Sequence, residues 1–473
     1  MSSRKIIFFE LNEVPYKIFD HYCKQHPQSS LAKLFARSQQ YETFAADQGE
    51  LAPTRTWPTL HRGVDDVQHG LKNFGQPLDE VDAAYPPIWQ ALAQRGIKVG
   101  VFGSLFSFPM PKQLDNYAFY MPDAFATDKD AWPPSWESFQ AFNLLMSRAS
   151  SRNVSSDINM GAAKAFLLKS PSLGVKPQTF AAVGKQLAQE RLQKHVKTRR
   201  RSYQTVLSFD LFMQQLQAKR PDFTTFFTNH VAAAMHRYWA ATFPGDYQEF
   251  GLEDAWVKTY AHEIEYAMGQ SDKLLKRLMQ FVDRDPEYVL MVATSMGQAA
   301  DRAEHVTSCV GITDLPKFMQ RLGVEPYEYE ERPAMAPIFN VVVQPQKREV
   351  VREAIRTLEI GNELIGGEVE DGFFEFAFGP LQNYRGAEVA FLGQDKFTFA
   401  EMGLDNVPHE DGVYLTGSHI PQGALLVYDP RQTQPASAQR QQISTLEIAP
   451  SLLRHFEIVP PSYMQRSVDL IPA

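Results

Sequence analysis

Short apolar runs alternate along this chain with stretches whose apolar residues recur at helical spacing. Lys5 to Leu11 is a run of β-favouring residues that ends in the polar pair Asn12 and Glu13, the pattern of a buried parallel strand opening into a loop. The segment from Ile88 to Gly96 predicts a helix with Gly96 as its C-cap, running into a second strand at Lys98–Phe102. Phe223–Thr228 predicts a third strand. Tyr288–Ala293 predicts a fourth, preceded by a long amphipathic pattern from Trp256 to Phe281. Strands alternating with helices predict an α/β core, and in such sheets sites form beyond the C-terminal ends of the strands.

Two stretches interrupt the alternation. Residues 108–219 carry Met, Phe, Ser and Pro in irregular order and then a polar helical run around Gln186 to Ser202, which reads as an inserted helical cap. Residues 314–407 hold strand-like Ile338–Val343, helix-like Lys347–Leu358 and strand-like Phe373–Phe378, enough for a small α+β insertion. The core is then expected at 1–107, 220–313 and 408–473, the last part containing a strand at Ala424–Tyr428 and a helix from about Thr445 to Phe456.

At 473 residues, 44% hydrophobic and 22% charged, the chain is long and apolar enough for a large core. Its 47 basic and 55 acidic residues give a net charge of −8, which argues against a general nucleic-acid binder. Two cysteines are too few for a disulfide framework, their lack of a Cys-x-x-Cys pair argues against a thiolate zinc or redox site, and a reducing compartment fits. With no signal peptide evident at Met1 and no run near the ~20 apolar residues of a membrane span, the expected location is the cytoplasm, with no integral membrane segment.

The sharpest chemical signal is Pro53-Thr-Arg-Thr-Trp-Pro-Thr59, followed by His69-Gly70. Two prolines hold the turn, and a threonine at a helix start lies in a field that favours anions, so its hydroxyl could attack phosphorus; equally, Thr54 or Thr56 could simply cap a helix. Thr228-Asn-His230 to His236, just after a strand, offers two histidines that cannot share a helix face, either of which could ligate a metal or serve as scaffold. Thr416-Gly-Ser-His419 presents a third imidazole on a loop. The basic run Lys194–Arg201 reads as a solvated face, with a lid for an anionic substrate or a membrane surface as the alternative.

The order of these pieces resembles the alkaline phosphatase superfamily, in particular its nucleotide pyrophosphatase/phosphodiesterase branch. The resemblance implies a mainly parallel sheet sandwiched by helices. It matches Asn12 to the family's first-strand metal aspartate, Thr56 to its nucleophile, His69-Gly70 to its His-Gly pair, His236 and His419 to metal-binding histidines, and Glu447–Pro460 to its closing helix and loop. It also departs from the family. Thr294-Ser-Met-Gly-Gln298 stands where the family has Ser-Asp-His-Gly, so two ligands are missing, Asn12 is a neutral amide, and Thr59 replaces an asparagine that helps hold the transferred group.

Glu10, Glu13 and His230 could replace the lost ligands, although Glu10 points to the strand face opposite Leu11, where a structural role is the alternative. The implied function is a metal-dependent hydrolase of a small phosphorylated substrate, a phosphodiester before a monoester. One divalent ion, zinc or manganese, would sit at His236 and His419 with Asn12 or His230 beside it, and Thr59 and Gln298 would contact substrate. The competing reading is a pseudoenzyme that keeps the fold as a binding or scaffold module.

Overall fold

The computed structural model describes residues 3–151, 160–247, 253–301, 308–335, 338–360, 363–364, 367–376, 389–408, 415–432, 440–464 and 466–471. Its centre is an eight-stranded sheet built from β1 (Lys5–Leu11), β2 (Gln39–Phe44), β3 (Val99–Phe102), β4 (Tyr117–Met121), β5 (Phe223–Thr228), β6 (Tyr288–Ala293), β7 (Gln422–Tyr428) and β8 (Gln441–Ser444). The order across the sheet is β8-β2-β7-β6-β1-β5-β3-β4. Neighbours run parallel except at β7, which is antiparallel to both β2 and β6.

Continuous apolar runs make the central strands because both of their faces are covered. Ile7, Phe9 and Leu11 of β1 pack with Phe226, Leu290 and Val292 under one helical layer, which includes the Arg200–Lys219, His230–Thr242 and Glu263–Arg284 helices. Ile6 and Phe8 face the other layer with Phe223, Val289 and Met291, beneath the Pro53–Arg62, Ile88–Ala93 and Ile448–His455 helices. The fold class is therefore the expected α/β sandwich on a mainly parallel sheet.

Register positions the site. Leu11 of β1 lies level with Thr228 of β5, and Glu10 level with Ala293 of β6. The three chains thus leave the sheet together, and Asn12–Glu13, Asn229 and Thr294–Ser295 meet just beyond it.

Several elements differ from expectation. Tyr117–Met121 lies inside the stretch read as a cap, yet it forms the sheet's edge strand beside β3. The remainder of that stretch is largely helical, at Glu137–Ser151, Met160–Lys169, Pro177–Leu192 and Arg200–Lys219; the polar run expected as one helix is broken by a 3-10 segment at Lys194–Arg199. The Trp256–Phe281 pattern likewise divides into Asp254–Tyr260 and Glu263–Arg284 helices. The α+β unit has its own buried cluster, from Val310 to Leu404, around two four-stranded antiparallel sheets. Its first and last strands, Ser308–Ile312 and Leu404–Pro408, pair with one another. Residues 377 and 378, at the end of the expected Phe373–Phe378 strand, lie outside the described residues. No helix among the described residues is long and apolar enough to cross a membrane.

Candidate active site

Glu13 is the centre of the site. It follows the last residues of β1, is 2% exposed, and adopts a left-handed backbone (φ 61°) that non-glycine residues seldom take. Its carboxylate collects four N–H or imidazole groups. Asn12 Nδ2 donates to Oε1 at 2.6 Å and Gln298 Nε2 donates to Oε2. His236 Nε2 and His419 Nε2 face that same Oε2 at 3.0 and 3.3 Å. Glu13, His236 and His419 are the group among the described residues whose ligand atoms, all within 4.8 Å of one another, could hold a metal ion.

The two imidazoles are aimed by the backbone. His236, on the His230–Thr242 helix, donates from Nδ1 to Gly417 O at 2.8 Å; His419, on the short Gly417–Ile420 strand, donates from Nδ1 to Leu51 O at 2.7 Å. With Nδ1 protonated, a neutral ring turns its Nε2 lone pair toward Glu13 Oε2, which repels it. The arrangement demands positive charge at its centre, supplied either by an imidazole proton or by a cation. His419 Nε2 is also buried without a well-aligned hydrogen bond. Two imidazoles oriented by carbonyls plus one carboxylate form a donor set that suits zinc, so the residues fit a divalent ion.

Electrostatics follow the same geometry. Burial by itself would raise the Glu13 carboxyl, but the charges and hydrogen bonds of His419 and His236 outweigh it and hold the group well below the ordinary carboxylate range. Burial would lower His419, and the negative charge of Glu13 overrides it to raise the imidazole.

Asn12 enters this site as a donor. Its Oδ1 accepts Trp57 Nε1 at 2.6 Å, while Nδ2 reaches Glu13 and also Asn229 Oδ1 at 2.7 Å. The amide oxygen a metal would need is thus committed to the indole. Gln298 is turned to Glu13 and to Ala232 O at 3.3 Å, leaving its buried Oε1 without a partner. The exposed Asn229 marks where this network reaches solvent.

His230 is not brought into the cluster. It is 4% exposed; its Nδ1 accepts from the Thr228 hydroxyl at 2.6 Å and its Nε2 donates to Ala267 O at 3.1 Å. Burial pushes it down to about 4, and the neutral ring has no lone pair to spare for a metal. Glu10 is likewise structural: fully buried, it pairs with His61 Nε2 at 2.7 Å and accepts Ser104 Oγ at 2.7 Å.

The Pro53–Arg62 helix carries the threonines. Pro53 opens it after the extended Ala52, and Gly63, in the left-handed region at φ 65°, closes it. Neither threonine is the N-cap, a position held by Ala52, whose methyl side chain cannot accept from the first turn; both lie inside the helix. Thr56 is fully buried, 2.8 Å from Ser295 Oγ and 3.2 Å from Ala52 O. Ser295 and the buried Met296 occupy the loop after β6 without a carboxylate or an imidazole.

Thr59, also fully buried, donates to Asp47 Oδ1 at 2.6 Å and meets His69 Nε2 at 3.0 Å. His69 Nδ1 accepts Leu71 N–H, so this ring too is neutral; burial, helped by the charge of Arg62, pushes it down to about 4. Asp66 draws Gln48 N, Gly49 N and Arg55 Nη1 together, fixing the loop just before Leu51, whose carbonyl orients His419.

The role of Glu13 as the hub goes beyond a replacement ligand. Its sequence signal was an acid at the mouth of a buried strand; the Trp57–Asn12 bond that orients its neighbour had none.

No family model and no curated protein matches the chain. Among solved structures it is similar to murine ectonucleotide pyrophosphatase/phosphodiesterase 5 (10% identity, 96% of each chain, TM-score 0.40). It is also similar to phosphonoacetate hydrolase from Sinorhizobium meliloti 1021 in complex with phosphonoformate (12%, 96% of each chain, 0.39). A third is Thermus thermophilus alkaline phosphatase (12%, 97% of this chain and 91% of that one, 0.40). Likeness at this level assigns neither activity nor ligand, and the site rests on its own geometry.

Proposed function

We propose that the chain hydrolyses a small phosphoric ester, a diester before a monoester, with one divalent cation, zinc or manganese, held by Glu13, His236 and His419. The observation that carries this reading is the pair of imidazoles whose Nδ1–H groups are tied to Gly417 O and Leu51 O while both Nε2 atoms converge on one buried carboxylate oxygen. A cation bound there would neutralise negative charge building on a phosphoryl oxygen. Thr56 is the proposed nucleophile: its hydroxyl gives its proton to water as Oγ bonds to phosphorus, the bond from phosphorus to the ester oxygen breaks and that oxygen leaves as an alcohol after taking a proton from water, and a second water then cleaves the phosphothreonine P–O bond and restores the hydroxyl. Asn12 and Gln298 hold Glu13 in place. Asn229 stands at the entrance. The cytoplasmic location belongs to the same proposal.

The full burial of Thr56 favours a second reading, a pseudoenzyme that binds a ligand without turning it over. One experiment separates them. Protein purified without chelator is assayed for bound metal and screened, with zinc or manganese, against phosphodiesters, phosphomonoesters and sulfate esters, alongside Thr56→Ala and Thr54→Ala. Loss of a covalent nucleophile should lower turnover at least ~1,000-fold, whereas Thr54→Ala, on the same helix, should cost only ~1 kcal/mol of stability. Equal turnover in Thr56→Ala and wild type removes the nucleophile assignment. Absence of both metal and turnover leaves the pseudoenzyme.

A further inference from the structure

Charge is unevenly distributed in this net-acidic chain. Between Asp157 and Asp210 there are ten lysines and arginines and one acid, Glu190. The structure shows which of these cations face water. Arg199 and Arg200 are engaged by Glu263 and Glu190, at 2.6 Å each. Lys164, Lys169, Lys176, Lys185, Arg191 and Lys194 are exposed, and Glu190 is not. The exposed charge therefore lies on the outward faces of the Met160–Lys169 and Pro177–Leu192 helices and at their ends, rather than on the Lys194–Arg201 run alone.

The same helices expose leucines. Leu167, Leu168, Leu187 and Leu192 are 55%, 75%, 43% and 86% exposed, four of the five exposed leucines among the described residues. On the first helix Lys164, Leu167 and Leu168 stand at i, i+3 and i+4 on one side. Phe166 points the other way, 5.4 Å from Phe139 and 5.0 Å from Phe142. The core therefore anchors this helix through Phe166 and leaves two adjacent leucines in water. On the second helix Ala181, Lys185, Ala188 and Leu192 are exposed at i, i+4, i+7 and i+11, opposite the buried Thr179 and Gln186.

We propose that the exposed sides of these two cap helices dock on an anionic lipid surface, with the lysines and Arg191 against headgroup charge and Leu167, Leu168 and Leu192 in the headgroup–acyl boundary. A nucleic acid or another soluble polyanion would engage the cations and leave the leucines in water; an anionic bilayer uses both. This inference does not depend on the catalytic reading, since none of these side chains belongs to the site around Glu13.

The test is sedimentation of the full chain with phosphatidylcholine vesicles, with and without phosphatidylserine, at low and high salt. The expected result is partition onto the phosphatidylserine vesicles, weak partition onto phosphatidylcholine, and release by salt. The double variants Leu167→Ser/Leu168→Ser and Lys164→Glu/Lys169→Glu should each weaken partition at least about tenfold with an unchanged thermal melt. Heparin binding should survive the leucine change. Failure of the wild-type chain to bind phosphatidylserine vesicles at low salt overturns the proposal. So does equal binding of wild type and the leucine variant, which would mark a polyanion site instead.

Discussion

Replacing Glu13 by glutamine tests the centre of the site most directly. The carboxylate receives Asn12 on one oxygen and Gln298, His236 and His419 on the other. An amide keeps one acceptor oxygen and turns the other into a donor, so at least one of these groups then faces an N–H. An unsatisfied buried donor costs ~1–3 kcal/mol, and breaking a buried ion pair costs ~3–5 kcal/mol. His236 and His419 are 29% and 24% exposed, so the low end applies and the expected loss is ~3 kcal/mol.

The sign of the pH dependence follows from the metal-free protein. Because Glu13 raises His419, that contribution is complete below the unfolded imidazole value of about 6.5 and is lost as pH rises through the raised folded value. Because the histidines lower Glu13, its contribution is present above about 4.3 and is lost as pH falls through the depressed folded value. Urea unfolding in chelator should therefore give a Glu13→Gln deficit of ~3 kcal/mol near pH 6 that shrinks to ~1 kcal/mol near pH 9. A deficit equal at the two pH values, or below ~1 kcal/mol at the lower one, would refute the account of the cluster. Calorimetric titration with zinc should show at least ~100-fold weaker binding in the variant.

Two further outcomes follow. Trp57→Phe removes the indole donor from Asn12 Oδ1 and should destabilise the fold by ~1–3 kcal/mol while weakening zinc binding about tenfold; unchanged zinc affinity would show that Asn12 does not orient Glu13. His230, pushed down to about 4, and His69, also about 4, are held neutral, so the unfolded chain takes up protons first and stability should fall as pH drops from about 6.5 toward 4. His230→Gln should flatten part of that fall, seen in unfolding curves across this range, and leave bound metal unchanged; loss of metal would return His230 to the ligand set.

The local sequence was enough for the strands that carry the site. Lys5–Leu11 and Tyr288–Ala293 are largely apolar, and Phe223–Thr228 combines phenylalanine with β-branched threonine, because both faces of these strands are covered, and that pattern is written in the residues themselves. Pro53 likewise marks the start of a helix through its fixed backbone angle. The outer strands were harder to read: Gln39–Phe44, one in from the margin, has four polar residues in six, the edge strand Gln441–Ser444 has three in four, and the edge strand Tyr117–Met121 sits in an irregular stretch. The antiparallel run of β7 depends on chain connections that no local pattern contains.

Within the site, the sequence determined which histidines and threonines were chemically available, and tertiary structure decided what each can do. His230 and His236 lie on one helix, yet a Thr228 hydroxyl and an Ala267 carbonyl occupy both nitrogens of the first, while a Gly417 carbonyl 181 positions away frees Nε2 of the second. Asn12 and Glu13 are adjacent, yet the Trp57 indole makes one a donor and thereby leaves the other as the acceptor on which both imidazoles converge. An imidazole or amide offers both a donor and an acceptor, and which of them is free depends on long-range hydrogen-bond partners that only the folded chain supplies.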